Sequence, residues 1–128
     1  MAQIRTRGKT NRSGSGARLI DYRKSKLYEI AGTAVMTNLK PNKIKTQRSQ
    51  GGHIKVRMLD ANKINLYNSK TKKYEIADVE TVLENPANAQ LVRRNILVKG
   101  AIVQTSKGKA RITSRPGQSG YLNGVLVQ

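Results

Sequence analysis

The 128-residue chain predicts an all-β fold: a small antiparallel β-barrel with one short helix, preceded by an extended basic N-terminal arm. Three observations predict it. Apolar residues alternate with polar ones in short runs, as where Ile54, Val56 and Met58 interleave with His53, Lys55 and Arg57, which is the period of a half-buried strand. Gly, Asn and Ser punctuate these runs, as the loops of a small sandwich or barrel do. Residues 1–26 hold few apolar side chains among many Gly, Ser, Arg and Lys, so they bury too little surface to offset the entropy of ordering. Aromatics are 4% of the chain, all of them Tyr, so the core must rest on Ile, Val and Leu. Closing such a sheet into a barrel removes the exposed edges an open sheet would leave.

The elements follow in chain order. Residues 1–26 form the arm, expected to be disordered in the free chain, and residues 27–128 form the barrel domain. Leu27 to Leu39 carries scattered apolar residues (Tyr28, Ile30, Val35) with a break at Gly32. Residues 44–50 and 53–57 flank Gly51-Gly52 and read as a hairpin with a two-residue turn. That register sets Arg48 opposite Lys55 and Thr46 opposite Arg57. Arg48, His53, Lys55 and Arg57 then share the face turned away from Ile54 and Val56. Ile64 and Leu66 repeat the strand pattern; Tyr74, Ile76, Val79 and Leu83 continue it less cleanly. Asn85 is placed to cap a helix with Pro86 at its first position, Ala87 to Arg93 as two turns and Asn95 as a left-handed end. Ile96 to Thr105 reads as one long Ile/Val-rich strand. The loop 105–109 reads as a hairpin turn, Gly108 to Ser114 as a strand, Arg115-Pro116-Gly117 as a type II turn, and Tyr121 to Val127 as the last strand.

The charge narrows function. There are 25 Lys+Arg against 7 Asp+Glu, a formal charge of +18. Through Arg57 there are 14 basic and 2 acidic residues, net +12; from Met58 onward there are 11 and 5, net +6. Like charges at this density repel across a compact body, and a polyanionic partner relieves the cost. Nucleic acid is the commonest such partner, with an anionic membrane surface second. Apolar runs such as Ala101-Ile102-Val103 are too short to cross a bilayer, and no membrane partner is expected. The absence of Cys excludes disulfides and thiolate metal sites and fits a cytoplasmic protein. The first twenty residues are Arg-rich and acid-free, like an organellar transit peptide. Gly8, Gly14 and Gly16 would each cost an amphipathic helix there about 1 kcal/mol, so a flexible basic arm is the better reading. No secretory signal is visible, since Ala2 and Ile4 sit among Arg5, Arg7 and Lys9.

Catalytic constellations are weak. His53 is the lone His, and neither a G-x-S-x-G nor a Walker-type loop occurs. Asp78 and Glu80 would share one strand face and could hold a metal or act as acid and base. In a chain so poor in acid they read better as charge balance for Lys72 and Lys73. The expectation is therefore no catalysis, no metal, no cofactor and no small-molecule substrate.

The basic clusters carry more. In the hairpin, Arg48 opposite Lys55 is a like-charge pair that a phosphate between them would stabilise. Arg93 and Arg94 complement the dipole of the short helix, for about 0.3–1 kcal/mol each, and can also grip phosphate. Arg111 and Arg115 form a further cluster. In the arm, Arg5, Arg7, Lys9, Arg12, Arg18, Arg23, Lys24 and Lys26 recur irregularly around Gly14-Ser15-Gly16. No aromatic interleaves them before Tyr22, so recognition of folded RNA by phosphate, 2′-hydroxyl and shape fits better than base stacking. Two rivals remain at this level: a DNA-compacting chromatin-type protein, or an RNA-processing enzyme using Asp78 and Glu80.

One stretch is specific. Arg93-Arg94-Asn95-Ile96-Leu97-Val98-Lys99-Gly100-Ala101-Ile102-Val103, continued by residues 108–118, resembles the characteristic block of the ribosomal protein S8e family, the eukaryote-type protein eight of the small ribosomal subunit, also present in archaea. Asn85-Pro86-Ala87-Asn88, Gly51-Gly52 and residues 14–19 resemble the family as well. His53 stands where members usually carry Asn, and Ser119 and Tyr121 replace a more usual acidic residue and Val. The short length is similar to the archaeal form. The resemblance implies a β-barrel with an N-terminal extension threaded along 16S rRNA, neighbouring small-subunit ribosomal proteins as partners, a place in the cytoplasmic ribosome, and no catalysis.

Overall fold

The computed structural model describes residues 3–4, 15–17 and 23–127. They divide into two compact units, one up to Ala34 and one from Val35. In the first, β1 (Gln3–Ile4) pairs antiparallel with β2 (Ile30–Ala31). A single 3-10 turn over Leu27–Glu29 precedes β2 and is closed by Glu29 N–H donating to Lys26 O at 2.9 Å.

The second unit holds β3 (Thr37–Leu39), β4 (Lys43–Arg48), β5 (Ile54–Ala61), β6 (Lys63–Asn68), β7 (Lys73–Glu84), α1 (Gln90–Arg93), β8 (Ile96–Leu97), β9 (Ile102–Thr105), β10 (Gly108–Ile112), α2 (Pro116–Ser119) and β11 (Asn123–Leu126). Five strands close a barrel in the order β10-β11-β6-β7-β9. The barrel is the one expected, with one refinement: β11 runs parallel to β6, while the other four ladders are antiparallel. A parallel neighbour needs a long crossover, and here the whole chain between β6 and β11 supplies it. A second sheet runs β4-β5-β3-β8.

Inward positions follow the period of two. Ile64 and Leu66 of β6, Ala77 and Val79 of β7, Val103 of β9, and Ala110 and Ile112 of β10 fill the barrel, and Met58, Ala61, Leu97, Ala101 and Leu122 complete one core cluster. Each fully buried Ile, Leu or Val side chain contributes about 1.5–3 kcal/mol. Gly124 stands on the inner face of β11 because the space is taken: a Cβ there would lie 2.8 Å from Ile64 Cδ1 and 3.0 Å from Arg111 O.

Four local expectations are corrected. The helix is one turn, Gln90–Arg93. Asn85 Oδ1 accepts Ala87 N–H at 3.0 Å in a local turn and Asn88 Oδ1 accepts Gln90 N–H at 2.9 Å, so two successive Asx turns take the place of its first turn. Asn95 does adopt the left-handed conformation, φ +49°. The run 96–105 is two strands, split by a turn in which Gly100 N–H donates to Ile112 O at 2.8 Å. Pro116 opens the short helix α2 where a type II turn was expected, and Gly120 ends it in the left-handed conformation. On β7 the buried residues are Ala77, Val79 and Val82, while Tyr74, Ile76 and Leu83 face solvent. Register shifts between Val79 and Thr81 and between Val82 and Glu84 break the simple alternation.

Candidate nucleic-acid interface

The hairpin of β4 and β5 forms a ribbon. Both glycines of its loop have positive φ, as a tight turn requires, but the loop is one residue longer than expected. Ser49 N–H donates to His53 O at 2.6 Å, which encloses Gln50-Gly51-Gly52. That residue shifts the register by one and exchanges the faces. Arg48 now pairs with Ile54, Thr46 with Val56 and Ile44 with Met58, while Gln47 pairs with Lys55 and Lys45 with Arg57.

The predicted cationic face is thus corrected. Lys55 and Arg57 share it, Lys45 joins them, and Arg48 stands on the opposite face beside exposed Ile44 and Ile54. His53 lies exposed in the loop, its ring near Gly51. The like-charge pair is Lys45 across from Arg57, a destabilising arrangement in the free protein. Among the described residues no carboxylate lies in ion-pair range of Lys45, Lys55 or Arg57, since the two ion pairs there are Arg23–Glu29 and Lys107–Glu75.

At its inner end the ribbon is fixed. Met58 and Ala61 enter the core, and Thr37 Oγ1 donates to Met58 O at 2.8 Å. The helix α2 packs on β5, with Gly120 so close to Val56 that a Cβ would lie 2.4 Å from Val56 Cγ1. Arg115, at the start of α2, has an exposed side chain on a well-held backbone. Its carbonyl accepts the N–H groups of Gln118 and Ser119, each at 2.9 Å, and the Ser119 hydroxyl at 3.0 Å. A rigid presentation of Arg115 is therefore present, built by a helix rather than a turn.

The remaining candidates do not gather on the ribbon. Arg93 and Arg94 are exposed at the end of α1, ahead of β8, and β8 lies at the sheet edge opposite β4. Arg111 is exposed on β10, paired with Val125 and Ile102 on the outside of the barrel. In the first unit Lys24 and Lys26 are exposed, with Lys26 Nζ 5.9 Å from the centre of the Tyr28 ring. Arg23 is engaged within the protein: its Nη1 and Nη2 donate to the Glu29 carboxylate at 2.9 and 2.6 Å. Arg5, Arg7, Lys9, Arg12 and Arg18 lie outside the described residues.

Asp78 and Glu80 are exposed on β7, and Asp78 stands opposite Lys63. Among the described residues no group of three or more His, Asp or Glu side chains could hold a metal ion. Lys45 escaped the sequence reading because its importance depends on loop length. The alternation of Lys43, Lys45 and Gln47 with Ile44 and Thr46 was the signal that could have found it.

The profile of the ribosomal protein S8e family matches residues 6–127. The chain belongs to that family. It is 44% identical over 122 residues to small ribosomal subunit protein eS8 of Methanobrevibacter smithii, covering 95% of this chain and 98% of that protein. The same-named protein of Methanococcoides burtonii is 40% identical over 94% of this chain and 97% of its own length. That of Nanoarchaeum equitans is 42% identical over 94% and 95%. The S8e match spans the barrel, the ribbon and most of the arm, so it is not confined to the block 93–118.

Proposed function

We propose that this protein is a structural constituent of the small (30S) subunit of an archaeal ribosome, where it binds and stabilises folded 16S rRNA beside neighbouring small-subunit proteins in the cytoplasm. The observation that carries the reading is end-to-end similarity to archaeal proteins of that subunit. The ribbon supports it independently. Lys45, Lys55 and Arg57 line one face without carboxylate partners among the described residues, and Lys45 opposes Arg57 at a cost that phosphate would relieve. Phosphate and sugar contacts of this kind fix register on a folded RNA. The arm, residues 1–26, orders on the RNA as it binds and adds phosphate contacts through Arg5, Arg7, Lys9, Arg12, Arg18, Lys24 and Lys26. Arg48, His53, Arg93, Arg94, Arg111 and Arg115 offer further contacts on other faces. The role is structural rather than catalytic.

Competition tests it. Full-length protein is bound to purified small-subunit rRNA at matched salt with duplex DNA as competitor. The reading expects rRNA to outcompete DNA. Equal competition would leave a general nucleic-acid binder of the chromatin type as the better account.

A further inference from the structure

Among the described residues, the most exposed apolar side chains on the outside of the barrel are Tyr74 and Ile76. Outward positions of β6, β7 and β10 include Lys63, Asp78, Lys109 and Arg111, all exposed. Tyr74 and Ile76 break this pattern on β7, with 76% and 67% of their surface in solvent. Tyr74 pairs with Tyr67 of β6, ring centres 5.0 Å apart and planes tilted by 45°. Ile76 pairs with Asn65, and Asn65 with Asn123 of β11, so the two rows continue across three strands.

Between these rows lies an open cavity of about 250 Å³ lined by Asn65, Tyr74, Glu75, Ile76 and Asn123. Asn65 Nδ2 donates to Asn123 Oδ1 at 3.2 Å, which leaves the Asn65 Oδ1 acceptor and the Asn123 Nδ2 donor with no further bond among the described residues. Glu75, the one acidic wall, is neutralised by Lys107. Exposed Lys72 and Lys73 precede Tyr74 in the chain.

We propose that this cavity receives one unpaired RNA base, stacked on the Tyr74 ring against Ile76, its edge read by the Asn65 and Asn123 amides. The inference rests on the rRNA-binding reading and names a base-specific site within it. Three features favour a base over a protein segment. β6, which forms the floor of the cavity, is paired on both sides, by β11 and by β7, so no backbone edge is free there for an added strand. The volume lies below the about 300 Å³ where drug-sized sites begin, which suits a single planar group. An exposed ring beside lysines pairs a stacking surface with the charge that holds a phosphate backbone.

The test uses the full-length chain and purified small-subunit rRNA. After ultraviolet irradiation, nuclease and trypsin, a mononucleotide adduct is expected on the peptide 74–93, at Tyr74. Tyr74→Ala should weaken rRNA binding by about 5- to 150-fold, the loss for one stacked base, with the salt slope unchanged because no phosphate contact is removed. Tyr74→Phe keeps the ring and should keep the affinity. A melting curve matching wild type shows that Tyr74→Ala is folded, as its exposed position leads one to expect. Wild-type affinity for Tyr74→Ala with no adduct would overturn the base site while leaving rRNA binding intact. If instead Tyr74→Ala keeps rRNA affinity but loses a neighbouring protein in reconstituted subunits, the occupant is a protein and the proposal is wrong. Failure of the wild-type chain to prefer rRNA over DNA would remove both readings together.

Discussion

The barrel and the β4–β5 ribbon draw on the same strand-forming residues and bury them oppositely. Along β6 the burial alternates, with Ile64 and Leu66 inside and Lys63 and Asn65 outside; along β4 all six residues are exposed, Ile44 included. The difference lies in what covers the second face. Barrel strands close on one another, so their inward side chains pack together in one core cluster. Among the described residues, no layer covers Ile44 and Ile54 on the outer part of the ribbon, and an isolated two-stranded ribbon is marginal in water. It persists because Met58, Ala61 and the α2 contact at Val56 hold its base. Stability therefore resides in the barrel, and the ribbon is free to carry unpaired charge.

That division can be broken at several points. The largest effect is expected from Ile64→Ala, which empties a fully buried site in the barrel. Chemical denaturation should show a loss of about 2–5 kcal/mol, while rRNA affinity per folded molecule stays unchanged. A matching loss of affinity would mean the barrel and ribbon are not separable in this way. Next is Gly120→Ala, where α2 meets the ribbon. The new Cβ would overlap Val56 Cγ1, and φ is +68°. Thermal or denaturant unfolding should register about 1–3 kcal/mol, and the ribbon amides of β5 should exchange faster. An unchanged ribbon would show that α2 is not its anchor. The smallest effect belongs to Arg23→Ala in the N-terminal unit, which removes the two-pronged contact to Glu29 at the surface. It should cost about 0.2–1 kcal/mol, seen as faster exchange of the Glu29 amide with no change in global stability.

How far the sequence was legible follows the same division. The barrel was readable because its inward residues repeat at period two, and the alternation survives in β6 and β10. It failed on β7, where Tyr74 and Ile76 take the outer face while Ala77 and Val79 take the inner one, and the register shift after Val79 brings Val82 inside and leaves Leu83 out. Hydrophobic size was misleading there, since small Ala77 is buried while the larger Tyr74 and Ile76 are exposed. On the ribbon the alternation was visible but the pairing was not. One extra loop residue, Gln50, decided whether Arg48 or Lys45 joins Lys55 and Arg57, and no pattern within the strands encodes that length. The family block 93–118 was legible as a string, though its break at Lys99-Gly100 and the short helix at Pro116 were not. The cavity at Asn65, Tyr74 and Asn123 joins the β6–β7 hairpin to β11, more than fifty residues on from Asn65, so its lining is brought together only by the β6–β11 ladder.

On the proposed reading, the ribbon's cationic face holds phosphate. The most direct measurement is rRNA affinity across a salt series for wild type and the double variant Lys45→Ala/Arg57→Ala. Two lost phosphate contacts should reduce the log–log slope by about 1.4–1.8, with folding stability equal to wild type or slightly higher because a like-charge pair is gone. An unchanged slope in a folded variant would contradict the claim and move the electrostatic footprint to other faces of the protein.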